Sequence, residues 1–221
     1  MCGRFAIKSY PDTIRRMLDY DEQPNFPPRY NIAPTQPIPV VYVEHGKRHF
    51  RLMRWGFIPS WVKDPKQFAL LINARLESVN EKPSFRGAMK YRRCLIPADG
   101  FYEWQKTGKA KRPFFVQAKS GEPFAFAGLW ETWTDKDGGE IDTVAIVTCI
   151  ANRAISQIHE RMPVIVPPEK FEAWLDCDKV DAKQAAALVG AAPEDFLDAY
   201  EISTRVNSVQ NDSAENIARQ A

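Results

Sequence analysis

The most reactive group in this sequence is at its start, where Cys2 directly follows the initiator methionine. A small second side chain favours removal of Met1, and Cys2 would then carry a free α-amine and a free thiol on adjacent carbons. With an ordinary pKa of about 7.7–8.0, much of such an amine is neutral and nucleophilic near neutral pH. An aldehyde would form an imine with it, and the thiol would then add to the imine carbon in an intramolecular step that closes a thiazolidine ring. The terminus is therefore predicted to be a trap for aldehydes.

The segment LLINARLES, residues 70–78, has polar side chains where a buried strand would have none. If it alternates as a strand, Asn73, Arg75 and Glu77 share one face and the apolar residues between them face a core. A plain solvated surface is the commoner explanation of such a triplet. The alternative is the polar floor of a site, in which Arg75 binds a phosphate and Asn73 orients a reacting group.

Two further residues are candidates for proton transfer. Glu103 stands between a tyrosine and a tryptophan, and a carboxyl flanked by large aromatic side chains is often desolvated, which raises its pKa toward that of a general acid. His159 lies between apolar segments, whereas His45 and His49 flank a hairpin turn and are predicted to be exposed. Taken alone, a carboxylate at a rim and a structural histidine are equally acceptable interpretations.

Arginine and aromatic residues are interleaved in several unusual loops, most clearly in RWGFIPSW, residues 54–61. Such rings either pack in a core or stack on nucleobases, and guanidinium groups beside them suit single-stranded nucleic acid better than a duplex groove. The arginines in or beside these loops are Arg4, Arg29, Arg54, Arg75, Arg86 and Arg205.

The bulk composition limits the class of protein without deciding it. The chain has 221 residues, 44% of them hydrophobic, and a formal net charge of +2, which suits a soluble globular protein and neither requires nor excludes nucleic acid. No apolar run approaches the roughly 20 residues of a membrane helix, and no signal peptide is recognisable, so a cytoplasmic location is predicted. The cysteines are widely separated and form no C-x-x-C pair, so neither a zinc site nor a disulfide framework is expected.

The apolar pattern predicts an α+β fold, with a mostly antiparallel sheet curled into a barrel-like core and with peripheral helices. A hairpin of residues 39–44 and 48–55 turns at Gly46, and an irregular proline-rich loop precedes it over residues 24–39. No composition break divides the chain, so a single domain over residues 1–221 is predicted. Two strand pieces around a turn from Pro97 to Gly100 are predicted within residues 92–104. Further strands are predicted at residues 112–119, 124–133 and 142–151, and helices at residues 11–20, 167–176 and 181–189.

Six segments, in this order, resemble the SOS-response-associated peptidase family: MCGRF, RYNIAPTQ, WGFIPSW, INARLES, RRCLIPADGFYEW and IHERMPVI. Members of this family process abasic sites, at which a deoxyribose that has lost its base opens to an aldehyde, and they form covalent DNA–protein cross-links. The resemblance covers essentially the whole chain. It implies the fold of that family, a lyase-type cross-linking chemistry in the response to DNA damage, and no metal or other cofactor.

The resemblance also implies roles for individual residues. Cys2 is the nucleophile once Met1 is removed, for which self-cleavage is one route, and Asn73 positions its amine beside the sugar. Glu103 is the acid and base for ring opening and imine formation, and His159 assists proton transfer and resolution of the cross-link. The residues implied in DNA binding, with Trp61 at the tip of a wedge that keeps the DNA single-stranded, are Arg4, Asn31, Trp61, Arg75, Arg86 and Arg205. The implied partner is single-stranded DNA with abasic sites, bound by a monomer that associates with the nucleoid.

Three other functions fit parts of the sequence. An N-terminal-nucleophile hydrolase, such as a glutamine amidotransferase, would attack an amide with the Cys2 thiol and use the α-amine as base. A thiol peptidase would combine Cys2, His159 and Glu103. A non-enzymatic module that binds single-stranded DNA would not need Cys2.

Overall fold

The structure is a computed structural model that describes residues 2–108 and 110–220. Its strands are β1 (Phe5–Ile7), β2 (Arg29–Ile32), β3 (Pro37–Glu44), β4 (Lys47–Trp55), β5 (Asn73–Arg75), β6 (Arg93–Ala98), β7 (Gly100–Thr107), β8 (Ala110–Ala118), β9 (Phe124–Thr134), β10 (Glu140–Ile150), β11 (Arg161–Pro163), β12 (Ile165–Val166) and β13 (Leu197–Glu201). Its α-helices are α1 (Pro11–Leu18), α2 (Arg86–Tyr91), α3 (Arg153–Ser156), α4 (Phe171–Leu175) and α5 (Ala182–Leu188). Among these described residues, every helix is too short or too polar to span a bilayer.

A barrel closes through the strands β3, β4, β10, β9 and β6, with β6 paired back to β3. Most pairings are antiparallel, whereas β10 runs parallel to β4 and β5. Close approach of β9 and β6 requires Gly128, because a Cβ at this position would lie only 2.7 Å from the Cys94 sulfur. The predicted α+β class is confirmed, with a mostly antiparallel, barrel-like core and peripheral helices.

A second sheet, in the order β13–β8–β7–β1–β2, packs against the barrel. Phe5 of β1 fills the space between them, with its ring centroid 5.3 Å from that of Trp55 and 5.9 Å from that of Phe126. Asp99 holds the end of β1 by accepting hydrogen bonds from the backbone N–H groups of Lys8 and Ser9 at 2.8 and 2.9 Å. The first strand of the chain is thus an interior strand, with a neighbour on each side.

The outer face of this second sheet is covered by residues 202–217, which we call the clip. The clip follows β13, and its Ile202 and Val206 pack on Tyr102 and Phe115. Burial of these apolar side chains fixes the clip beside β1 and β2.

Polar contacts of Asn31 then fasten the clip to β2. The buried Asn31 amide donates through Nδ2 to the carbonyls of Val206, Ser208 and Asn211 at 3.1, 2.9 and 2.8 Å. Its Oδ1 accepts a hydrogen bond from Arg4 Nη1 at 2.7 Å. One amide side chain therefore joins the residue before β1 to three carbonyls of the clip.

Three local expectations differ from the structure. Residues 29–32, expected in an irregular loop, form β2 because β1 provides a partner, with Ile32 opposite Phe5. The strand expected over residues 70–78 is limited to β5, since a 3-10 helix, Leu76–Ser78, ends the alternation. His49, expected to be exposed, is half-buried, with Nδ1 2.9 Å from a Glu22 carboxylate oxygen.

Replacing Asn31 with alanine should lower the free energy of unfolding by about 2–4 kcal/mol, because buried partners lose their hydrogen bonds without gaining water. Urea unfolding measures this change. Asn25→Ala removes an exposed amide and should change stability by no more than about 0.5 kcal/mol. Equal losses for the two variants would contradict the proposed role of the clip contacts.

Candidate active site at the N-terminal strand

Cys2 and Glu103 lie close together because β1 and β7 are antiparallel neighbours. Phe5 is paired with Phe101, so the next position of β7 that faces the barrel is Glu103, opposite Gly3. Cys2 and Glu103 are 0% and 2% exposed. The register thus puts Gly3 opposite Glu103, and the neighbouring Cys2 thiol lies close enough for the charge of Glu103 to raise its pKa.

Asn73 reaches the same place from the barrel side. It begins β5, which is held by parallel pairing of Asn73 with Ile146 of β10. Its Nδ2 donates to the carbonyl of Cys2 at 3.0 Å, whereas its buried Oδ1 has no hydrogen-bond partner among the described residues. A buried acceptor without a partner costs about 1–3 kcal/mol. This oxygen is therefore suited to accept a hydrogen bond from an amine or a ligand.

Burial controls the protonation of the thiol and the carboxyl. Desolvation raises the pKa of Glu103 to about 7, so both of its protonation states are populated at neutral pH. Burial, followed by the negative charge of Glu103, raises the pKa of the Cys2 thiol well above its usual range. The resting thiol is protonated, and Glu103 is the group that can give or take a proton near pH 7.

His159 lies in the turn between α3 and β11, beside β7. Its Nδ1 accepts a hydrogen bond from the backbone N–H of Arg161 at 3.0 Å, so the neutral ring has its proton on Nε2. Gln105 donates through Nε2 to the carbonyl of Gln157 at 2.8 Å, which ties this turn to β7 two residues beyond Glu103. Burial lowers the pKa of His159, which favours the neutral ring at pH 7.

An ion pair between the buried Arg161 and the exposed Glu77 lies behind these residues and was not predicted from the sequence. Arg161 donates from Nη2 to the Glu77 carboxylate at 2.9 Å and to the Thr148 carbonyl at 2.8 Å. Burial would raise the pKa of Glu77, but the hydrogen bonds from Arg161 outweigh it and the pKa is lowered. The pair joins the 3-10 helix after β5 to β11, so Glu77 contacts Arg161 whereas Asn73 contacts Cys2. The only signal was that both residues fall within unusual segments, INARLES and IHERMPVI.

The arginines predicted to contact DNA at the surface are differently engaged. Arg75 and Arg86 are exposed, and within the described part of the chain no ion pair involves either one. Arg205 is also exposed and pairs with Glu215 at 3.0 Å. Surface ion pairs contribute little free energy, so a phosphate could replace that carboxylate.

Arg4 and Asn31 instead hold the clip. Arg4 Nη1 donates to Asn31 and to the Val206 carbonyl, and Nη2 donates to the Asn207 carbonyl at 3.3 Å. Two of the five guanidinium N–H groups thus have no protein acceptor among the described residues. The Asn31 amide is buried and used entirely inside the protein, so its role differs from the predicted contact with DNA.

The aromatic residues of the segment 55–61 are mostly part of the core. Trp55 is fully buried and donates through Nε1 to the Ile72 carbonyl at 2.9 Å, and Phe57 is also buried. Trp61 is 58% exposed, and its ring meets that of Phe68 edge-on at 5.5 Å. Among the aromatic residues of this segment, Trp61 is the one available to a ligand.

Residues 1–209 match the family model described as SOS response associated peptidase, SRAP. The chain belongs to the SRAP family. The SRAP relatives include proteins whose names describe abasic site processing. YoqW of Bacillus subtilis is 39% identical over 98% of this chain and 99% of the relative. YedK of Escherichia coli is 30% identical over 98% of this chain and 99% of the relative. HMCES of Gallus gallus is 32% identical over 97% of this chain and 76% of the relative.

The SRAP fold is also found at lower sequence identity. A crystal structure of a protein from Bacteroides thetaiotaomicron superposes with a TM-score of 0.89 over 100% of both chains, at 24% identity. This likeness is one of fold alone. It shows that the barrel and the second sheet are maintained while most of the residues change.

Glu103 should make the stability of this SRAP chain depend on pH. Its pKa rises from 4.5 in the unfolded chain to about 7 in the folded protein, so its contribution is complete below pH 4.5 and is lost as pH rises to 7. The glutamine of Glu103→Gln cannot ionise. As pH rises from 4.5 to 7, the free energy of unfolding of the variant should therefore increase relative to that of wild type, by at most about 3 kcal/mol.

Unfolding by urea at several pH values measures this difference, with the exposed Glu122→Gln as the matched control. A difference between Glu103→Gln and wild type that stays constant from pH 4.5 to 7 would show that the carboxyl is not desolvated.

Proposed function

We propose that this chain processes abasic sites in single-stranded DNA by joining the open-ring aldehyde to Cys2 as a thiazolidine. One observation carries the proposal: Glu103, with a pKa near 7, and Asn73 both lie at Cys2, the residue that becomes an aminothiol when Met1 is removed. Membership of the SRAP family and the abasic-site processing named for YoqW, YedK and HMCES support it. Met1 itself lies outside the described residues.

One water hydrolyses the Met1–Cys2 bond and releases methionine, and the reaction of the processed chain with the aldehyde then needs no co-reactant. Hydrolysis of the Met1–Cys2 peptide bond frees the α-amine, which attacks C1′ of the open sugar to give a carbinolamine. Loss of the hydroxyl as water leaves an imine. The sulfur electron pair then forms a bond to the imine carbon, and the thiol proton moves to nitrogen by way of the protein. The product contains both reactants less one water, and it has no C=N bond to hydrolyse.

Glu103 is suited to both proton transfers because both of its forms are present near pH 7. As the acid it protonates the departing hydroxyl, and as the carboxylate it accepts the thiol proton. The raised pKa of Cys2 keeps the thiol protonated until the imine has formed. The Asn73 Oδ1 accepts a hydrogen bond from the freed amine and so directs the amine lone pair toward C1′.

His159 contributes a neutral imidazole from the turn beside β7. Its Nε2–H can donate to the ring oxygen of the sugar as the ring opens, and the same nitrogen can return a proton when the cross-link is resolved. The Nδ1 contact with the Arg161 backbone fixes this tautomer. His159 therefore acts on the sugar, while Glu103 acts on the amine and the thiol.

Exposed arginines and Trp61 would hold the strand around the lesion. Arg75 and Arg86 bind phosphates. The remaining N–H groups of Arg4 also bind phosphate, as does Arg205 after it releases Glu215. Trp61 stacks on or separates a base, which is possible in a single strand. The protein acts as a monomeric single domain in the cytoplasm, and on the nucleoid when bound to DNA.

The direct test is to mix the protein with a single-stranded oligonucleotide that has one abasic site. A species stable to denaturing electrophoresis is expected, with the intact mass of the protein without Met1, plus DNA, less one water. Cys2→Ser keeps the amine but lacks the thiol, so it should give only a hydrolysable imine, and an undamaged strand should give nothing. Wild-type protein that has lost Met1 and forms no covalent product would sink the mechanism. Turnover of glutamine or a peptide without DNA would then favour the hydrolase alternatives.

Glu103→Gln should slow cross-link formation at saturating DNA by about 10²–10⁴-fold, the usual contribution of a general acid and base. The rate of wild type should show an inflection near pH 7 that the variant lacks. Binding to a tetrahydrofuran analogue of the abasic site, which offers no aldehyde, should change little. A variant with a wild-type rate, or one that retains the inflection, would remove Glu103 from the chemistry.

A further inference from the structure

The hairpin of β7 and β8 carries an unusual excess of positive charge. Between Glu103 and Glu122 the sequence has five Lys or Arg residues and no Asp or Glu, whereas the whole chain has 30 basic and 28 acidic residues. This one segment more than accounts for the net charge of +2. A block of like charges in an otherwise balanced chain is typical of an anion-binding surface.

The register of the hairpin sets two of these charges against each other. Lys106 is directly opposite Lys111, and both side chains are exposed. Like charges directly opposite in an antiparallel pair are destabilising. Arg112 is neutralised by Glu201, while the described residues provide no ion pair for either lysine. The free protein thus keeps a repulsive pair that an anion would relieve.

The hairpin extends directly from the candidate active site. Lys106 is three residues beyond Glu103 on β7, or about 10 Å at the rise of a strand. Gln105 holds the turn that contains His159 through its bond to Gln157. Burial is the main cause of the lowered pKa of His159, and the charge of Lys106 makes a small further contribution. Alternation puts both lysines on the face of the hairpin opposite Glu103, so a polyanion seated at Cys2 would reach them by passing around the end of the hairpin.

We infer that Lys106 and Lys111 form a second phosphate-binding element, which holds the backbone of the same single strand a few nucleotides to one side of the abasic sugar. The spacing of about 10 Å corresponds to about three nucleotides at the rise of about 3.4 Å per phosphate in a stacked strand. Two phosphates bridging the opposed lysines replace repulsion by attraction. The inference rests on the proposed function, because that function puts a nucleic acid strand at Cys2.

The test compares Lys106→Gln/Lys111→Gln with Lys136→Gln/Lys179→Gln, which removes two exposed lysines, each beside an aspartate, from other surfaces. Affinity is measured by fluorescence anisotropy for strands with a tetrahydrofuran abasic analogue, lengthened stepwise on either side, across a range of salt concentrations. For wild type and the control, affinity should rise once the strand extends about three nucleotides beyond the lesion on one side. The hairpin variant should lack that rise.

The salt dependence gives a quantitative expectation. Each phosphate neutralised on a single strand contributes about −0.7 to the slope of log affinity against log salt, so the hairpin variant should have a slope shallower by about 1.4. If the plots of log affinity against log salt for wild type and the hairpin variant meet near 1 M salt, the difference in slope corresponds to about 60-fold weaker binding of the variant at about 0.05 M. The unfolding temperature of the variant should equal or exceed that of wild type, because a repulsive pair is removed.

The outcomes separate the inference from the proposed function. A hairpin variant with the slope and length dependence of wild type overturns the inference, as does an equal loss in the control pair or a lowered unfolding temperature. Cross-linking of aldehyde-bearing strands at saturating DNA is measured beside it. If the wild-type protein does not cross-link, the result counts against the proposed function. If the wild-type protein cross-links but the hairpin variant has the salt dependence of wild type, the result counts against the role of the hairpin alone.

Discussion

The structure depends on the insertion of a three-residue strand, close to the start of the chain, between two longer ones. Chain termini usually fray because few contacts fix them. Here β1 has β7 on one side and β2 on the other, Asp99 holds its far end, and Arg4 is tied to the clip. Without this insertion Cys2 would be a mobile residue in water. With it, the carbonyl of Cys2 is fixed by Asn73 and its thiol lies beside Glu103.

Desolvation is the physical cause that gives each group at the site its protonation state. The same burial raises the pKa of the Glu103 carboxyl and of the Cys2 thiol and lowers that of the His159 imidazole. All three groups are therefore biased toward their neutral forms. The thiol and the imidazole are neutral, and the carboxyl is near the midpoint of its titration at pH 7. These groups can exchange protons without first separating charge in an apolar interior.

Much of the fold, but less of the site, could be read from the sequence. An apolar stripe at helical spacing located α1, and alternation with turn residues located the β3–β4 hairpin and the long strands, because these signals are local. The irregular loop expected at residues 29–32 was wrong because β2 forms only when β1 lies beside it. Trp55 and Asn31 illustrate a second limit: residue type alone does not tell whether a ring or an amide faces solvent. The pairing of Arg161 with Glu77 joins residues 84 positions apart, and no local pattern records it.

The clip has a consequence for the time at which the molecule is complete during its synthesis. Arg4 is bonded to a carbonyl 202 positions further along the chain. At a translation rate of about 5–20 residues per second, the ribosome needs about 10–40 s to make the residues between them. Throughout that interval Arg4 lacks its contacts with the clip, so the nascent polypeptide has the reactive cysteine before the last of the contacts that hold its strand are available. The complete set of contacts around the N-terminal strand can therefore form only when the chain is nearly finished.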